Sequence, residues 1–202
     1  GVFFPGRAVV ITTGTFLGGL IHIGDVHYPA GRAGEIASWE LAASLKEIGF
    51  TMGRMKTGTP PRLRASTIDF SRLIRQDSDP DPTPFSFASE RLPEERLPSF
   101  FSATTAETHR LIRANIGCSP LYGGAIRGIG ARYCPSLEDK VMRFADRESH
   151  PVVLEHEGLD TEEVYAKGLG NCLPPELQER IVHSVPGLEE AEIMRLAYAI
   201  EY

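Results

Sequence analysis

Arg7-Ala-Val-Val-Ile-Thr-Thr-Gly14, followed by Thr15-Phe-Leu-Gly-Gly19, is a β-branched apolar run that ends in a glycine-rich loop. It reads as a strand buried on both faces, feeding a loop whose backbone can take positive φ and approach a ligand closely. Leu20-Ile-His-Ile-Gly24 reads as a second strand, and Gly31-Arg-Ala-Gly34 as another close-approach turn. From Ser38 to Ile48 the apolar residues Trp39, Leu41, Ala42, Leu45 and Ile48 recur at helical spacing, with Ser38 as N-cap and Gly49 as terminator. Phe50 to Lys56 is a strand candidate that leads into Thr57-Gly-Thr-Pro-Pro-Arg62, a rigid turn. Strand and helix alternating up to this point predict a parallel α/β sheet.

Beyond Arg62 the texture changes. Residues 76–98 are rich in Pro, Asp, Ser and Glu, which predicts long surface connections, with Phe85-Ser-Phe87 as the one clear strand candidate. Helices are predicted over Thr105–Ile116, Leu137–Phe144 and Pro174–Ser184, and strands over Pro151–Glu155, Glu192–Leu196 and Tyr198–Tyr202. This second part reads as a mixed domain. No internal repeat is visible, which sets solenoids aside.

The 202 residues, 42% hydrophobic and 24% charged, suit one large or two small globular domains. No apolar run approaches the length of a membrane span, and Gly1-Val-Phe-Phe-Pro-Gly lacks the basic start and long apolar region of a signal peptide. Gly1 is not an initiator methionine and the last residues read as a strand, so both ends are expected to be cut from a longer protein. Three irregularly spaced cysteines form neither a disulfide framework nor a zinc knuckle, which points to a reducing cytoplasm. The six histidines are scattered, and only His22 and His27 lie near each other; they read as surface or packing residues. A net charge of −6 argues against a surface coated uniformly by nucleic acid, and leaves room for a local basic groove.

The chemistry concentrates in Gly130-Ala-Arg-Tyr-Cys-Pro-Ser-Leu-Glu-Asp-Lys-Val-Met-Arg-Phe144. Arg132, Lys140 and Arg143 surround Cys134 in sequence, and Pro135-Ser136 with Glu138 and Asp139 suits a first helical turn, whose N–H groups favour an anion. Cys134 is then either a reactive thiol or a plain buried one. Gly128-Ile-Gly130 supplies only two glycines of a dinucleotide fingerprint, so a pyrophosphate loop, if one exists, lies elsewhere. Thr12-Thr-Gly14-Thr15 is either part of a nucleotide site at a strand's carboxyl end or an ordinary glycine turn. Lys56 to Arg62 reads as a phosphate clamp, an inter-domain hinge, or both. Glu138-Asp-Lys140 reads as an exposed helix start, with general acid–base work as the sharper alternative.

Taken together, Arg7–Leu17, Ile21–Gly24, Gly31–Gly34, Lys56–Arg62, Thr67–Ser71, Phe85–Phe87, Ser119–Tyr122, Arg132–Phe144 and Tyr198–Tyr202 resemble the MnmG/GidA family, the large flavoprotein subunit that modifies the wobble uridine of certain tRNAs at C5. The resemblance implies an α/β fold: part of a Rossmann-like FAD-binding domain (residues 1–62), an inserted mixed α+β domain associated with reduced nicotinamide (63–167), and a truncated return to the FAD domain (168–202). It implies FAD and NADH as cofactors, with tRNA, a GTPase subunit and a second copy of the full-length protein as partners. Gly14 and Thr15 fall in its cofactor loop and Ser38 on an FAD-contacting position. Gly130, Ala131, Arg132, Tyr133, Cys134, Pro135, Ser136, Leu137, Glu138, Asp139, Lys140, Val141, Met142, Arg143 and Phe144 match its nicotinamide-associated segment. Cys134 matches its proposed nucleophile towards the uracil ring.

Several residues depart from the family pattern. Ala131 stands for proline, Ser102-Ala-Thr-Thr105 lacks an expected histidine, His156 replaces a proline, Ala166-Lys167 replaces Pro-Asn, and Leu196-Ala197 replaces Pro-Gly. Two other readings stay open. One is a non-catalytic module that docks tRNA or the GTPase partner through Arg62, Arg64, Arg132 and Arg143. The other is a flavin-linked thiol oxidoreductase pairing Cys134 with Cys118.

Overall fold

The computed structural model describes residues 2–92, 95–130 and 135–202. In chain order the elements are β1 (Leu20–Ile23), β2 (Val26–Pro29), α1 (Trp39–Ile48), β3 (Met55–Thr59), β4 (Arg62–Arg64), β5 (Ile74–Gln76), β6 (Ser99–Ala103), α2 (Ala106–Ala114), β7 (Ile129–Gly130), α3 (Leu137–Arg143), β8 (Pro151–His156), β9 (Glu163–Lys167), α4 (Pro175–His183), β10 (Ile193–Arg195) and β11 (Tyr198–Glu201). They form two sheets, ordered β2-β1-β11-β3-β7 and β10-β4-β9-β8-β6-β5. The chain passes from the first sheet to the second at Pro60-Pro61 and from β10 back to the first at Leu196-Ala197, with β7 between them also lying in the first sheet.

The fold is mixed α/β, but the expected parallel sheet is overturned. Among the described strand pairs only β3–β7 is parallel; β1–β2, β1–β11 and β11–β3 are antiparallel, as are the pairs of the second sheet. The physical reason is connection length. β1 and β2 are joined by Gly24-Asp25 alone, and two residues can close only an antiparallel hairpin. The helix after them is no crossover, because the neighbour of β1 is β11, the last strand.

The opening run also differs from its reading. Arg7–Thr13 has no strand assignment, and Val9 and Val10 are 85% and 83% exposed. A strand buried on both faces needs neighbours in its sheet and helices over it, and none of the described elements lies there. Phe85-Ser-Phe87 forms no strand either; both rings are fully exposed in an irregular connection. The strand expected over 50–56 begins at Met55 and takes in Thr57–Thr59, which the sequence reading gave to a turn.

The helices follow their sequence signals. Gly49 closes α1 in the left-handed conformation. Thr105 and Thr108 cap α2 reciprocally, each side-chain oxygen accepting from the other's backbone N–H. Pro175 opens α4, where its missing N–H costs nothing. Buried Leu111 and Ile112 of α2, Leu137 and Val141 of α3, and Leu177, Ile181 and Val182 of α4 pack into one cluster with the inner face of the six-stranded sheet. Period-two alternation sets that face: Val152 and Leu154 on β8, and Val164 and Ala166 on β9, point into the cluster. Each fully buried Leu, Ile or Val contributes roughly 1.5–3 kcal/mol of transfer free energy. The outer face carries ion pairs instead, among them Arg62–Glu157, Arg64–Glu192 and Arg195–Glu163.

One polar side chain ties α4 to the connections on either side of it. Gln178, wholly buried on α4, donates to the carbonyls of Leu173 (2.8 Å) and Ala197 (2.9 Å) and accepts from the amide of Ala197 (2.8 Å). Gly168, with φ 103°, turns the chain out of β9; a Cβ there would lie 2.4 Å from the Pro151 carbonyl oxygen, so only glycine fits.

His22, His109 and His150 are buried, and burial holds each imidazole below its ordinary value of 6.5, against the raising effect of Glu201 in the case of His22. His22 stacks on His27 across the β1–β2 hairpin, and His109 lies 5.2 Å from His150, with its Nε2 2.9 Å from Thr104 Oγ1. These are packing histidines. Because the folded state lowers the pKa, it favours the neutral ring; the unfolded chain binds the proton more readily below about pH 6.5. Their stabilising contribution is therefore full above that pH and lost as pH falls through the depressed values. The urea midpoint is expected to drop between about pH 7 and pH 5, and less steeply in His150→Gln; equal slopes in the two proteins would contradict this.

Candidate functional site

The glycine loop is held as a preformed cradle. Gly14–Phe16 makes one 3₁₀ turn, in which Gly14 has φ 56° and its missing Cβ would face open space. Thr15 Oγ1 donates to the Gly31 carbonyl at 2.6 Å, tying the loop to the second glycine turn. The Ser38 amide donates to Phe16 O (2.8 Å) and the Gly18 amide to Ser38 O (3.2 Å), so Ser38 and the loop are zipped together. The Ser38 hydroxyl makes no capping bond to α1. Gly14, Thr15 and Ser38, picked from separate stretches of sequence, thus share one surface with room for close backbone approach of a ligand.

Arg54 and Glu201 buttress this region. Arg54 donates from Nη1 to the Gly18 carbonyl (2.7 Å), and its Nη2 lies 3.5 Å from Glu201 Oε2. Glu201 Oε1 accepts from the amides of Arg127 (3.0 Å) and Gly128 (2.6 Å), which fixes the approach to β7 and Gly130.

A cavity of about 450 Å³ opens beside that point. Its wall is built from Lys56 and Pro60, from Pro135 and Ser136 at the entrance to α3, and from Tyr165, Tyr198 and Cys172. Volume and an apolar lining with a few polar groups are those of a small-molecule site. Ser136 caps α3, its Oγ accepting from the Asp139 amide at 3.2 Å. The Asp139 carboxylate is buried and multiply bonded: Lys56 Nζ lies 3.1 Å from Oδ2, while Tyr122 Oη and Arg143 Nη2 each lie 3.3 Å from Oδ1. Burial first, and then the Asp139 carboxylate, push the Tyr122 phenol above its ordinary value of 10.0.

Glu138 is wholly buried. Its Oε1 accepts from the Cys172 amide (3.0 Å), Ser119 Oγ (3.2 Å) and Cys172 Sγ (3.3 Å), whereas Oε2 has no hydrogen-bond partner among the described residues. Burial, and then the neighbouring Glu138 charge, push the Cys172 thiol up to about 12. Although it lines the cavity, Cys172 is a protonated, unreactive thiol at neutral pH.

The exposed helix start read at Glu138-Asp-Lys140 is therefore corrected: Glu138 and Asp139 face inward, because the first turn of α3 packs on Ser119 and on residues 170–173. Leu137 and Val141 are core, Met142, Arg143 and Phe144 lie on the outer side, and Lys140 lines the cavity. The phosphate-clamp reading of Lys56 to Arg62 is corrected too. Lys56 is spent on Asp139, and Arg62 on Glu157, Thr59 and the ring of Tyr165. Arg64 and Arg143 are likewise engaged by carboxylates, which weakens the phosphate-docking reading. Ala131, Arg132, Tyr133 and Cys134 lie outside the described residues, and with them any Cys118–Cys134 separation. Among the described residues no helix is long and apolar enough to cross a membrane.

The glycine cradle and the cavity belong to a two-sheet α/β unit. The family model described as glucose inhibited division protein A matches residues 1–202, and the chain belongs to that family. A relative from Syntrophobacter fumaroxidans is 59% identical over all 202 residues, and one from Geobacter sulfurreducens 54%; both are named tRNA uridine 5-carboxymethylaminomethyl modification enzyme MnmG. In each case the chain covers 32% of the relative, so it spans about a third of the length of these proteins. Aquifex aeolicus GidA in its form I crystal superposes with a TM-score of 0.87 at 48% identity, covering 97% of this chain and 34% of that one. The form II crystal gives 0.85 at 44% identity, with 97% and 32% covered.

Proposed function

We propose that the chain is part of a cytoplasmic flavoenzyme that adds a carboxymethylaminomethyl or aminomethyl group to C5 of the wobble uridine of certain tRNAs. The observation that carries this reading is the cavity whose wall is Pro135-Ser136, the two residues that directly follow Cys134 in a chain belonging throughout to this family.

The residues present fit the two cofactors. Gly14, with open space where a Cβ would stand, and Ser38, zipped to the same loop, would hold part of FAD. Pro135, Ser136 and Lys140 would border reduced nicotinamide, whose flat ring suits a cavity walled by Tyr165, Tyr198 and Pro60. FAD, with NADH as reductant, supplies hydride chemistry when bound. Cys134 as thiolate adds to C6 of the uracil ring; the new C–S bond moves an electron pair to C5, which bonds the one-carbon unit as that carbon's bond to the folate nitrogen breaks and the nitrogen leaves with the electron pair, taking up a proton. Loss of the C5 proton and expulsion of the thiolate restore the ring. A GTPase subunit would present the folate-bound carbon, glycine or ammonium would provide nitrogen, and the full-length protein would act as a homodimer.

The domain division at 1–62, 63–167 and 168–202 belongs to the same reading. The two sheets support it broadly, since β1–β3 and β11 lie in one and β4–β6, β8 and β9 in the other. They also interlock across it: β7 joins the first sheet and β10 the second.

The test is made on the purified full-length protein. Its ultraviolet–visible spectrum should show bound flavin, and incubation with unmodified tRNA, NADH, the GTPase subunit, methylene-folate and glycine should give a C5-substituted uridine on nucleoside analysis. Flavin-free protein together with unaltered uridine would sink the proposal.

A further inference from the structure

We propose that the cavity distinguishes the two redox states of the nicotinamide ring by charge, holding the neutral reduced form and rejecting the cationic oxidised form, with Lys167 and the Arg62-backed ring of Tyr165 as specificity-determining groups. The inference rests on the reading of this cavity as the reduced-nicotinamide site. Its wall is one-sided in charge. The charged side chains that line it are Lys56, Lys140 and Lys167, and among the described residues no carboxylate does so. The counter-ions are set outside the wall: Asp139 Oδ2 lies 3.1 Å from Lys56 Nζ, and Glu155 Oε1 lies 3.4 Å from Lys167 Nζ. Each pair therefore presents its positive member to the cavity.

Tyr165 works in the same direction. It lines the cavity, and the guanidinium carbon of Arg62 stands 4.5 Å from the centroid of its ring. Arg62 is held there by Glu157 Oε1 (2.6 Å), Thr59 Oγ1 (2.6 Å) and the Pro60 carbonyl (2.9 Å). A tyrosine ring ordinarily attracts a cation through its quadrupole. With a guanidinium already on the ring that attraction is largely spent, and what remains is a stacking surface for a neutral ring. Donation of a hydride to the flavin leaves the dihydronicotinamide ring with one positive charge, while the pyrophosphate of the dinucleotide keeps its own. Ring charge is thus the main difference between the form that arrives and the form that leaves. Like charges repel strongly in a partly desolvated cavity, whereas lysine attraction to the shared pyrophosphate is common to both forms and cancels in the comparison. The wall therefore favours release of the oxidised product.

The experiment is a calorimetric titration of the full-length flavoprotein, its flavin oxidised, with NAD⁺ and with tetrahydro-NADH, whose ring is uncharged and delivers no hydride. The parent is expected to bind the neutral analogue at least about tenfold more tightly than NAD⁺. Lys167→Glu, at a side chain 61% exposed and so tolerant of exchange, should narrow that ratio by about threefold or more, chiefly by tightening NAD⁺, and Lys167→Arg should preserve it. Tyr165→Leu, which keeps an apolar branched side chain on β9, should weaken both ligands. Equal affinities in the parent, or a preference that Lys167→Glu leaves unmoved, would overturn the proposal while the cavity remains the dinucleotide site. Failure of both ligands to bind, or affinities unchanged in Tyr165→Leu, would remove the dinucleotide from this cavity, and the underlying reading would fall with the proposal.

Discussion

Cys134→Ser in the full-length protein is expected to reduce wobble-uridine modification by on the order of 10³-fold or more, leaving the flavin spectrum unchanged. The step assigned to Cys134 needs an anionic nucleophile that also leaves readily. A thiol ionises near neutrality when cations and a helix entrance stand close; a serine hydroxyl stays protonated, and an alkoxide is a poor leaving group. The sequence supplies those neighbours in Arg132, Lys140 and Arg143, and the structure caps α3 with Ser136 two residues beyond the cysteine. Flavin retention follows because the Gly14–Gly18 loop is secured by its own bonds to Gly31, Ser38 and Arg54. Nucleoside analysis with a parallel absorption spectrum decides the matter: undiminished modification would remove Cys134 from the reaction.

Gln178→Ala should be strongly damaging to α4. It deletes three hydrogen bonds and leaves two carbonyls and an amide stranded in a fully buried layer. Each stranded group costs about 1–3 kcal/mol, partly relieved by relaxation, so roughly 3 kcal/mol is expected. Read as hydrogen exchange at the α4 amides, that is about a hundredfold faster local opening. Exchange within about threefold of the parent would show that Gln178 contributes little to holding the helix.

The helices were legible because their signals are local. Ser38 and Gly49 bracket α1, Thr105 and Thr108 cap α2, and Pro175 starts α4, all within a few residues of what they terminate. Strands depend on partners elsewhere. Arg62-Leu-Arg64 carries two charges, and only its place beside β9 explains why Leu63 is fully buried. Val26-His-Tyr-Pro29 is an exposed edge with no alternation to read. In Glu163-Val-Tyr-Ala-Lys167 the period-two signal was present, with Val164 and Ala166 inward, and was passed over. Val9 and Val10 show the reverse failure, for an apolar run says nothing about whether its neighbours are at hand.

The site divides in the same way. That Pro135, Ser136 and Lys140 border a cavity was foreshadowed by the cysteine, cations and helix start around them in sequence, as was the closeness of Ser38 to the glycine loop through the family resemblance. Glu138 was not, because its partners Ser119 and Cys172 lie 19 and 34 residues away in sequence. Nor was the engagement of Lys56 by Asp139, across 83 residues. Charge in a sequence shows that a group is ionisable, and only the packing shows which opposite charge has already claimed it.

The position of β11 between β1 and β3 has a consequence for the order of assembly. Residues 20–23 and 55–59 leave the ribosome long before 198–201, yet in the sheet each is paired with that strand and not with the other. Until it arrives, the glycine-loop hairpin and the ribbon bearing Lys56 share no ladder, and inserting the missing strand is a closure over very long sequence separation, the slow kind of step in β topology. Nascent chains therefore carry two unpaired sheet edges from the synthesis of β3 until β11 emerges.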